Sequence, residues 1–334
     1  MKRHIVPIIA LVILLAFPLA VQNFYYQGVM ILVLMWVVIG SGWNLISGFT
    51  GQVLFGAAVF FGIGAYTSAL LLHKLEISAW WGFPLGALVS FALAFPFGWI
   101  CFRLRGPYFA LATLALNEIM RHIATIWESL TEGMVGILVP QTFDSKIPYY
   151  YIALFLAVAS VVVVDIMMRS RIGYYFVSIR EDQDAAESLG INTTYYKMVS
   201  LCISAVFIGL TGALYTNYMG FIDPHIVFSL HNISIMAILV GIVGGVGTVH
   251  GPAVGAFIMV LVDELFRSGG FGLLSALGKS YGWGSMTTVV KYVSEAHTLV
   301  FGVIVILVIL YLPNGVVGDW PVIKRFIFRG RQAD

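Results

Sequence analysis

The sequence predicts an all-α, polytopic membrane protein with about ten transmembrane helices. Of its 334 residues, 60% are hydrophobic and only 10% are charged, and the mean hydropathy is +0.95. A chain of this composition cannot cover a soluble globule with polar side chains. Its apolar runs also approach the roughly 20 residues that a helix needs to cross a bilayer core. We therefore expect a single transmembrane domain over residues 1–334, with little chain left for a soluble domain.

The apolar runs set the order of the helices. The first run follows Lys2 and Arg3 and could also be a secretory signal. No convincing small-x-small cleavage site follows around Pro18, so a retained first helix is the better interpretation. The predicted transmembrane helices cover residues 5–22, 28–47, 53–73, 80–101, 107–127, 149–168, 195–219, 231–247, 252–267 and 297–313.

Basic residues predict the orientation of these helices, because Lys and Arg near short loops concentrate on the cytoplasmic side. With the N-terminus inside, twelve of the 18 basic residues fall on the cytoplasmic side and five on the other. Both ends are then cytoplasmic, with a short basic tail at about 319–334 and a cytoplasmic segment at about 169–194. The net charge of +2 is spread over helix ends, so it gives no sign of nucleic-acid binding.

Nothing in the sequence predicts a metal site, a disulfide or an enzyme. Cys101 and Cys202 both fall at predicted cytoplasmic helix ends, where thiols stay reduced. The histidines are scattered, and no Ser/His/Asp arrangement is apparent. The run GLLSALGKS at 272–280 has five residues between its glycines, whereas a phosphate-binding loop requires four. We expect no cofactor bound by this chain.

Glycines mark two positions of interest. In GWNLISGFTGQVLFGAAVFFGIGAY, residues 42–66, small residues from Ala58 to Ala69 form one helix stripe that favours close helix packing. The stretches 48–52 and 244–252 instead interrupt the apolar runs, and irregular backbone at membrane depth is tolerated only inside protein or beside a watery cavity. The sequence therefore predicts gating breaks at Gly48, Gly51, Gly244, Gly245, Gly247 and Gly251.

Five motifs in order along the chain carry a family resemblance. They are the glycine-rich stretch at 42–66, RLRGPYFALATLALNEIMR at 103–121, IREDQDAAESLGI at 179–191, GGVGTVHGP at 244–252 and LPNGVVG at 312–318. Together they resemble the LivM-type permeases of bacterial ABC importers for branched-chain amino acids. The resemblance implies a non-catalytic subunit of the bacterial inner membrane that pairs with a related second permease. It also implies two separate ATPase subunits, which hold ATP and Mg, and an external solute-binding protein.

A short cytoplasmic helix is predicted at about 179–189, between the sixth and seventh spans. Ser178 and Glu181 have the spacing of a capping box, and Gly190 is a suitable terminator. In ABC importers such a helix fits a groove on the ATPase, so the resemblance implies a coupling role here. Tyr174 and its two neighbours depart from the basic residues that the family often has just before it. The coupling candidates are Ser178, Glu181, Asp184, Ala185, Ala186, Glu187, Leu189 and Gly190, with Glu187 available to a basic partner.

Ionisable residues inside membrane helices are costly and so are functional candidates. Glu118 and Arg121 lie three residues apart in the fifth span. They form either a structural ion pair buried against other helices or part of a pathway wall that meets the charges of an amino-acid zwitterion. Uncharged polar residues nearby either bind solute or bridge helices. The pathway candidates are Asn44, Thr50, Gln52, Asn117, Glu118 and Arg121.

The transported solute and the transport class stay open. Branched-chain or other apolar amino acids are the first expectation, while urea, short amides and, more distantly, sugars use similar permeases. A secondary transporter or channel would also use broken helices, but it would not need the helix at 179–189. The segment at about 268–296 would either receive the binding protein or form a plain outer loop.

Overall fold

The structure is a computed structural model that describes residues 2–267, 302, 306, 310 and 314–319. The predictions for the segment 268–296, for most of the span 297–313 and for the tail beyond 319 lie outside the described residues.

The first part of the chain forms helices joined by short connections. Asn23 caps α2 by accepting a hydrogen bond from the Tyr25 amide, and Pro107 occupies the first turn of α5, where no amide hydrogen is needed. The elements are α1 (Lys2–Ala20), α2 (Phe24–Asn44), a π-helical turn π1 (Leu45–Phe49), α3 (Ala57–Leu75), α4 (Ala79–Cys101), α5 (Pro107–Ile126) and α6 (Glu128–Thr131).

The second part adds two very short strands to further helices. Ile137 lies opposite Ile222 in an antiparallel pair of two-residue strands. Within the described residues, this pair is the departure from an all-helical fold. The elements are β1 (Ile137–Leu138), α7 (Lys146–Arg169), α8 (Arg171–Glu181), α9 (Gln183–Ser188), α10 (Thr193–Met219), β2 (Phe221–Ile222), α11 (Pro224–Val227), π2 (Leu230–Ile235), α12 (Met236–Gly244), α13 (Gly251–Arg267) and α14 (Gly315–Gly318).

Length and composition support the membrane prediction. Within the described residues, six helical stretches are long and apolar enough to cross a membrane. Helix α5, which carries Glu118, Arg121 and His122, is not among the six. The all-α polytopic fold is therefore confirmed, while the total of ten spans and the side of the termini stay predictions. The six stretches are Phe24–Phe49, Ala57–Leu75, Trp80–Cys101, Lys146–Arg169, Thr193–Met219 and Pro224–Gly244.

The core consists of two packed groups of helices. Helices α3, α4 and α10 pack on one another, and α2 packs on α7, α12 and α13 while also contacting α10. At the crossing of α3 and α10, Gly64 lies directly against the backbone of Gly209. The stripe of small residues from Ala58 to Ala69 is buried, as expected for close helix packing.

The two ends of the bundle differ in what they carry. One end, which we call the α9 end, holds α9, the connection between α2 and α3, and the connection between α12 and α13. The other end holds α6 and the β1/β2 pair. Both glycine stretches thus connect consecutive helices at one end of the bundle. In each stretch one helix ends before the next begins, and the role of these glycines as gating breaks stays a prediction.

The predicted start of the short cytoplasmic helix, at about residue 179, is wrong. Helix α8 continues through Ser178 to Glu181, and the Ser178 hydroxyl donates to the Tyr174 carbonyl within that helix. The chain then becomes extended at Asp182, whose carboxylate accepts a hydrogen bond from the Ala185 amide and so caps α9. The expected terminator is in place, since Gly190 follows α9 with a left-handed φ of +83°.

Candidate functional site

Two glycine turns meet at the α9 end. We call residues 48–52 the first turn and residues 244–251 the second turn. A Cβ added to Gly48 would lie only 2.6 Å from the Gly247 amide nitrogen and would overlap the Asn44 side chain. A Cβ added to Gly244 would likewise overlap the backbone of Gly251, where α12 crosses α13. The missing side chains are what allow these backbones to approach.

Asn44 joins the end of α2 to the second turn. Its Nδ2 donates to the Thr248 carbonyl at 2.8 Å, and its Oδ1 accepts from the Gly247 amide, also at 2.8 Å. The side chain is buried, so both groups of the amide are committed to backbone. Of the two interpretations of this residue, bridging between helices is the one that the geometry supports. It connects the end of α2 with the end of α12.

Arg180 lies across both turns. It belongs to the last turn of α8, and its Nη1 donates to the Gly48 carbonyl at 3.2 Å. A Cβ on Gly51 would come within 3.1 Å of the Arg180 Cγ, and a Cβ on Gly247 within 2.7 Å of its Nη1. Sequence reasoning missed this residue. The available signal was the Arg in IREDQDAAESLGI, a basic residue two positions before the Asp that caps α9.

A polar network holds α9 against its neighbours. Arg105, in the connection between α4 and α5, pairs with Asp184 at 2.6 Å and with Glu187 at 3.5 Å. Glu187 also accepts hydrogen bonds from the Thr193 hydroxyl at 2.6 Å and from Gln183 at 2.9 Å. These bonds lower the pKa of Glu187 below its ordinary value of 4.5, first through Thr193 and then through Gln183. Within the chain, Glu187 already has the basic Arg105 as a partner, while its side chain stays 40% exposed, so its availability to a further basic partner stays a prediction.

The outer surface of α9 is small, apolar and acidic. Leu189 is 81% exposed, and the Asp184 side chain is 77% exposed despite its ion pair. Ala185 is exposed, whereas Ala186 is only 2% exposed and packs inward. Of the predicted apolar face, Ala185 and Leu189 are available to a partner and Ala186 is not.

A second polar cluster lies on α5 and α11. Arg121 Nη2 binds Glu118 at 2.6 Å, and its Nη1 lies 3.1 Å from His225 Nδ1. The side chains of Glu118 and Arg121 keep 35% and 22% of their exposed surface, so the pair is only half-buried. Sequence reasoning missed His225, which Asp223 positions by capping α11.

A helix interruption lies beside this cluster, at Phe228 and Ser229 between α11 and π2. The Asn117 Nδ2 donates to the Phe228 carbonyl at 3.0 Å, while its Oδ1 is buried without a hydrogen-bond partner. Thr113 of α5 and Ser234 of π2 accept hydrogen bonds from the amides of Phe55 and Ala58 at the start of α3. Broken and π-helical segments recur at functional sites of membrane proteins.

The two remaining pathway candidates sit in the first turn. The Thr50 hydroxyl donates to the Ile46 carbonyl at 2.6 Å, which satisfies it within its own helix end. The Gln52 side chain is buried, and its Oε1 has no hydrogen-bond partner. An unpaired buried carbonyl oxygen costs about 1–3 kcal/mol. Gln52 and Asn117 each have one such side-chain oxygen that can still accept a hydrogen bond. Both therefore stay candidates for contact with solute or water.

Comparison with known proteins places the chain in a family. Residues 25–310 match the family model described as branched-chain amino acid transport system, permease component. The chain is 31% identical to the high-affinity branched-chain amino acid transport system permease protein LivM of Salmonella typhimurium over 296 residues, which cover 80% of this chain and 69% of that protein. The Escherichia coli LivM is 29% identical over the same shares.

A second type of permease in the same transport system is also similar. The permease protein LivH of Escherichia coli is 23% identical over 314 residues, which cover 85% of this chain and 91% of LivH. No solved structure matches the chain. The bundle of membrane helices and the family match over most of the sequence lead to one conclusion: this chain belongs to the family of branched-chain amino acid transport permease components.

Proposed function

We propose that this chain is one of two related permease subunits of an ATP-driven importer for branched-chain or other apolar amino acids in the bacterial inner membrane. ATP and Mg are bound by two separate ATPase subunits, and an external binding protein delivers the solute. The subunit works by alternating access, opening first to one side of the membrane and then to the other. The observation that carries this proposal is α9, an exposed short helix that is bonded to several neighbouring elements at one end of the bundle.

The surface of α9 fits a coupling role. Leu189, which is 81% exposed, and the exposed Ala185 give α9 an apolar surface that a pocket on the ATPase would cover. Glu181, Asp182 and Asp184 are exposed on the same short segment, so a basic surface on the ATPase would match it. Because Arg105 and Thr193 hold α9 at its inner side, a displacement of α9 is passed to the starts of α5 and α10.

Helix α5 fits the wall of a pathway. Its buried face consists of Phe109, Thr113, Asn117 and Ala124, which leaves most of the helix surface uncovered within this chain. A half-buried Glu118 and Arg121 pair on a lipid-facing helix would cost several kcal/mol. A water-filled passage, closed on its other side by the second permease, removes that cost.

The charges of this face suit an amino acid. Arg121 can offer a guanidinium to the carboxylate of a zwitterion, and Glu118 can offer a carboxylate to its ammonium. Leu111 and Ile119, exposed apolar residues of the same helix, suit an apolar side chain better than a polar one. This supports apolar amino acids over urea, short amides or sugars as the solute.

The proposal is tested with the complete complex in proteoliposomes. Purified chain, second permease, ATPase subunits and binding protein are reconstituted, and ATP hydrolysis and uptake are measured with leucine, urea, a short amide and a sugar in turn. We expect leucine to stimulate both. Stimulation by another solute alone would contradict the amino-acid assignment. Solute movement through the purified chain without the ATPase would contradict the ATP-driven class and support a secondary transporter or channel.

A further inference from the structure

We propose that Arg180 is the positioning residue that links α9 to both glycine turns, so that α9 and the ends of α2 and α12 move as one unit. This inference rests on the proposed function, because it names the contact through which a docked ATPase would act on the membrane helices. It differs from the coupling role of α9 itself, which concerns the docking of the ATPase on the exposed surface of α9.

The position of Arg180 in the chain suits this role. It ends α8, and the next residue but one, Asp182, caps α9. Its hydrogen bond to the Gly48 carbonyl spans 132 residues of sequence. One side chain therefore connects the element at the surface with the point where α2 ends.

Glu181 fixes the orientation of the Arg180 guanidinium. Glu181 Oε1 accepts from Arg180 Nε at 3.1 Å and from Nη2 at 2.6 Å. This leaves Nη1 directed at the Gly48 carbonyl and beside Gly247. A guanidinium offers several donors in one rigid plane, so it can be held by Glu181 while it binds a backbone carbonyl. A lysine has one nitrogen at the end of a flexible stem and cannot reproduce both contacts.

Gly51 and Gly247 leave room for the Arg180 side chain. Gly51 and Gly247 both adopt left-handed φ angles, +73° and +71°, which side chains rarely adopt. Added Cβ atoms at these two positions would point at the Arg180 side chain, from the first turn and from the second turn respectively. Asn44 joins the end of α2 to the second turn next to these glycines. The first turn, the second turn and α8 thus meet around one guanidinium.

The first experiment measures the link in the chain itself. Cys101 and Cys202 are replaced by Ala, and spin labels are placed at Ser188→Cys on α9 and Val246→Cys in the second turn. Val246 is 43% exposed and Ser188 is exposed, so both accept a label. We expect a narrow distance distribution with Arg180 present and a broad one in Arg180→Ala. An unchanged distribution in Arg180→Ala would overturn the inference, whether or not the complex transports anything.

The second experiment measures coupling in the reconstituted complex. We expect Arg180→Ala to keep solute-stimulated ATP hydrolysis while the leucine taken up per ATP falls about 5- to 30-fold. The leucine taken up per ATP by Arg180→Lys should lie between that of the wild type and that of Arg180→Ala. Wild-type uptake per ATP in Arg180→Ala would overturn the inference. Absence of any coupling in the wild type would instead overturn the proposed function and leave the distance measurement to decide on Arg180.

A variant of Gly247 tests the same contact from the second turn. Gly247→Ala should reproduce the loss of uptake per ATP, and combining it with Arg180→Ala should add little, because both remove one contact. Gly220→Ala is the matched control, since Gly220 has a similar φ of +75° at the other end of the bundle, away from Arg180. Equal losses in Gly247→Ala and Gly220→Ala, or full additivity with Arg180→Ala, would contradict a shared contact.

Discussion

Arg105 and Asp184 form an ion pair of 2.6 Å that joins the connection between α4 and α5 to the first turn of α9. Both side chains are more than half exposed, so the pair itself contributes little to stability. Its position matters more than its strength. It lies between the surface proposed to meet the ATPase and the helix proposed to line the pathway.

A charge on the outer face of α9 should block docking. We expect Ala185→Arg to insert and fold normally but to abolish ATP-driven uptake, because the exposed Ala185 would place a cation against a basic partner. Binding of the ATPase subunits to the purified permease pair and leucine uptake are measured together. Leu138→Arg, at an equally exposed apolar site on β1, is the control for the added charge. Normal uptake by Ala185→Arg would remove the docking proposal.

The neighbouring alanine should behave differently. Ala186 is buried, so Ala186→Arg forces an unpaired charge into the contact between α9 and α10. We expect a lower thermal midpoint in detergent in addition to lost uptake. Equal thermal midpoints for Ala185→Arg and Ala186→Arg would contradict the inward placement of Ala186.

The bridge at Asn44 should be needed for stability. Asn44→Ala leaves the Gly247 amide and the Thr248 carbonyl without their partner, which costs about 1–3 kcal/mol for two partly buried groups. We expect a lower unfolding midpoint in detergent by circular dichroism. Asn232→Ala, with an exposed side chain, is the matched control and should unfold like the wild type. A stable Asn44→Ala that has lost only transport would instead favour contact with solute.

The Glu118 and Arg121 pair can be assigned to structure or to solute binding. If it lines the pathway, Glu118→Gln should raise the KM for leucine uptake about tenfold, equivalent to about 1.4 kcal/mol, with an unchanged thermal midpoint. A buried structural pair would show the opposite pattern, with a lower midpoint and an unchanged KM. Initial rates of uptake over a range of leucine concentrations and a thermal unfolding curve are sufficient to decide.

The attachment of α9 should depend on pH in the acidic range. The pKa of Glu187 is lowered in the folded state, so its ionised form stabilises the attachment above its ordinary pKa of 4.5, and this contribution is lost as the pH falls through the lowered value. The protection of the α9 amides from hydrogen exchange, relative to their intrinsic rates, should fall as the pH drops through the lowered pKa of Glu187. Thr193→Val removes the largest cause of the shift and should move this loss of protection to higher pH. An unchanged profile in Thr193→Val would contradict this account.

Local sequence signals predicted most helices well. The spans around α2, α3, α4, α7 and α10 follow from length and hydropathy, and these helices lie within a few residues of the predicted bounds. The predicted span at 231–247 instead consists of π2 and α12, and α11 precedes them across an interruption at Phe228 and Ser229. A π-helical turn has no clear hydrophobic period, so composition alone hides it.

The errors at the candidate site have a common physical cause. The Ser178 and Glu181 spacing fits a capping box, but packing of Phe176 and Ile179 against the bundle extends α8 past it. The Asn44 bridge and the Arg180 contact join residues that are 204 and 132 positions apart in the chain. Spacing within a motif cannot report such contacts. The glycines were found as a pattern, but what fills the space beside them could not be read from the sequence.

The crossing of α3 and α10 limits how this subunit can change shape. Where Gly64 meets Gly209, the two backbones touch. Nearby, Thr216 and Asn217 of α10 donate hydrogen bonds to the Ala65 carbonyl and the Ser68 hydroxyl of α3. Sliding one helix along the other would break these bonds, and separating the helices would leave an unfilled void. We therefore expect α3 and α10 to move together as one rigid pair throughout the transport cycle.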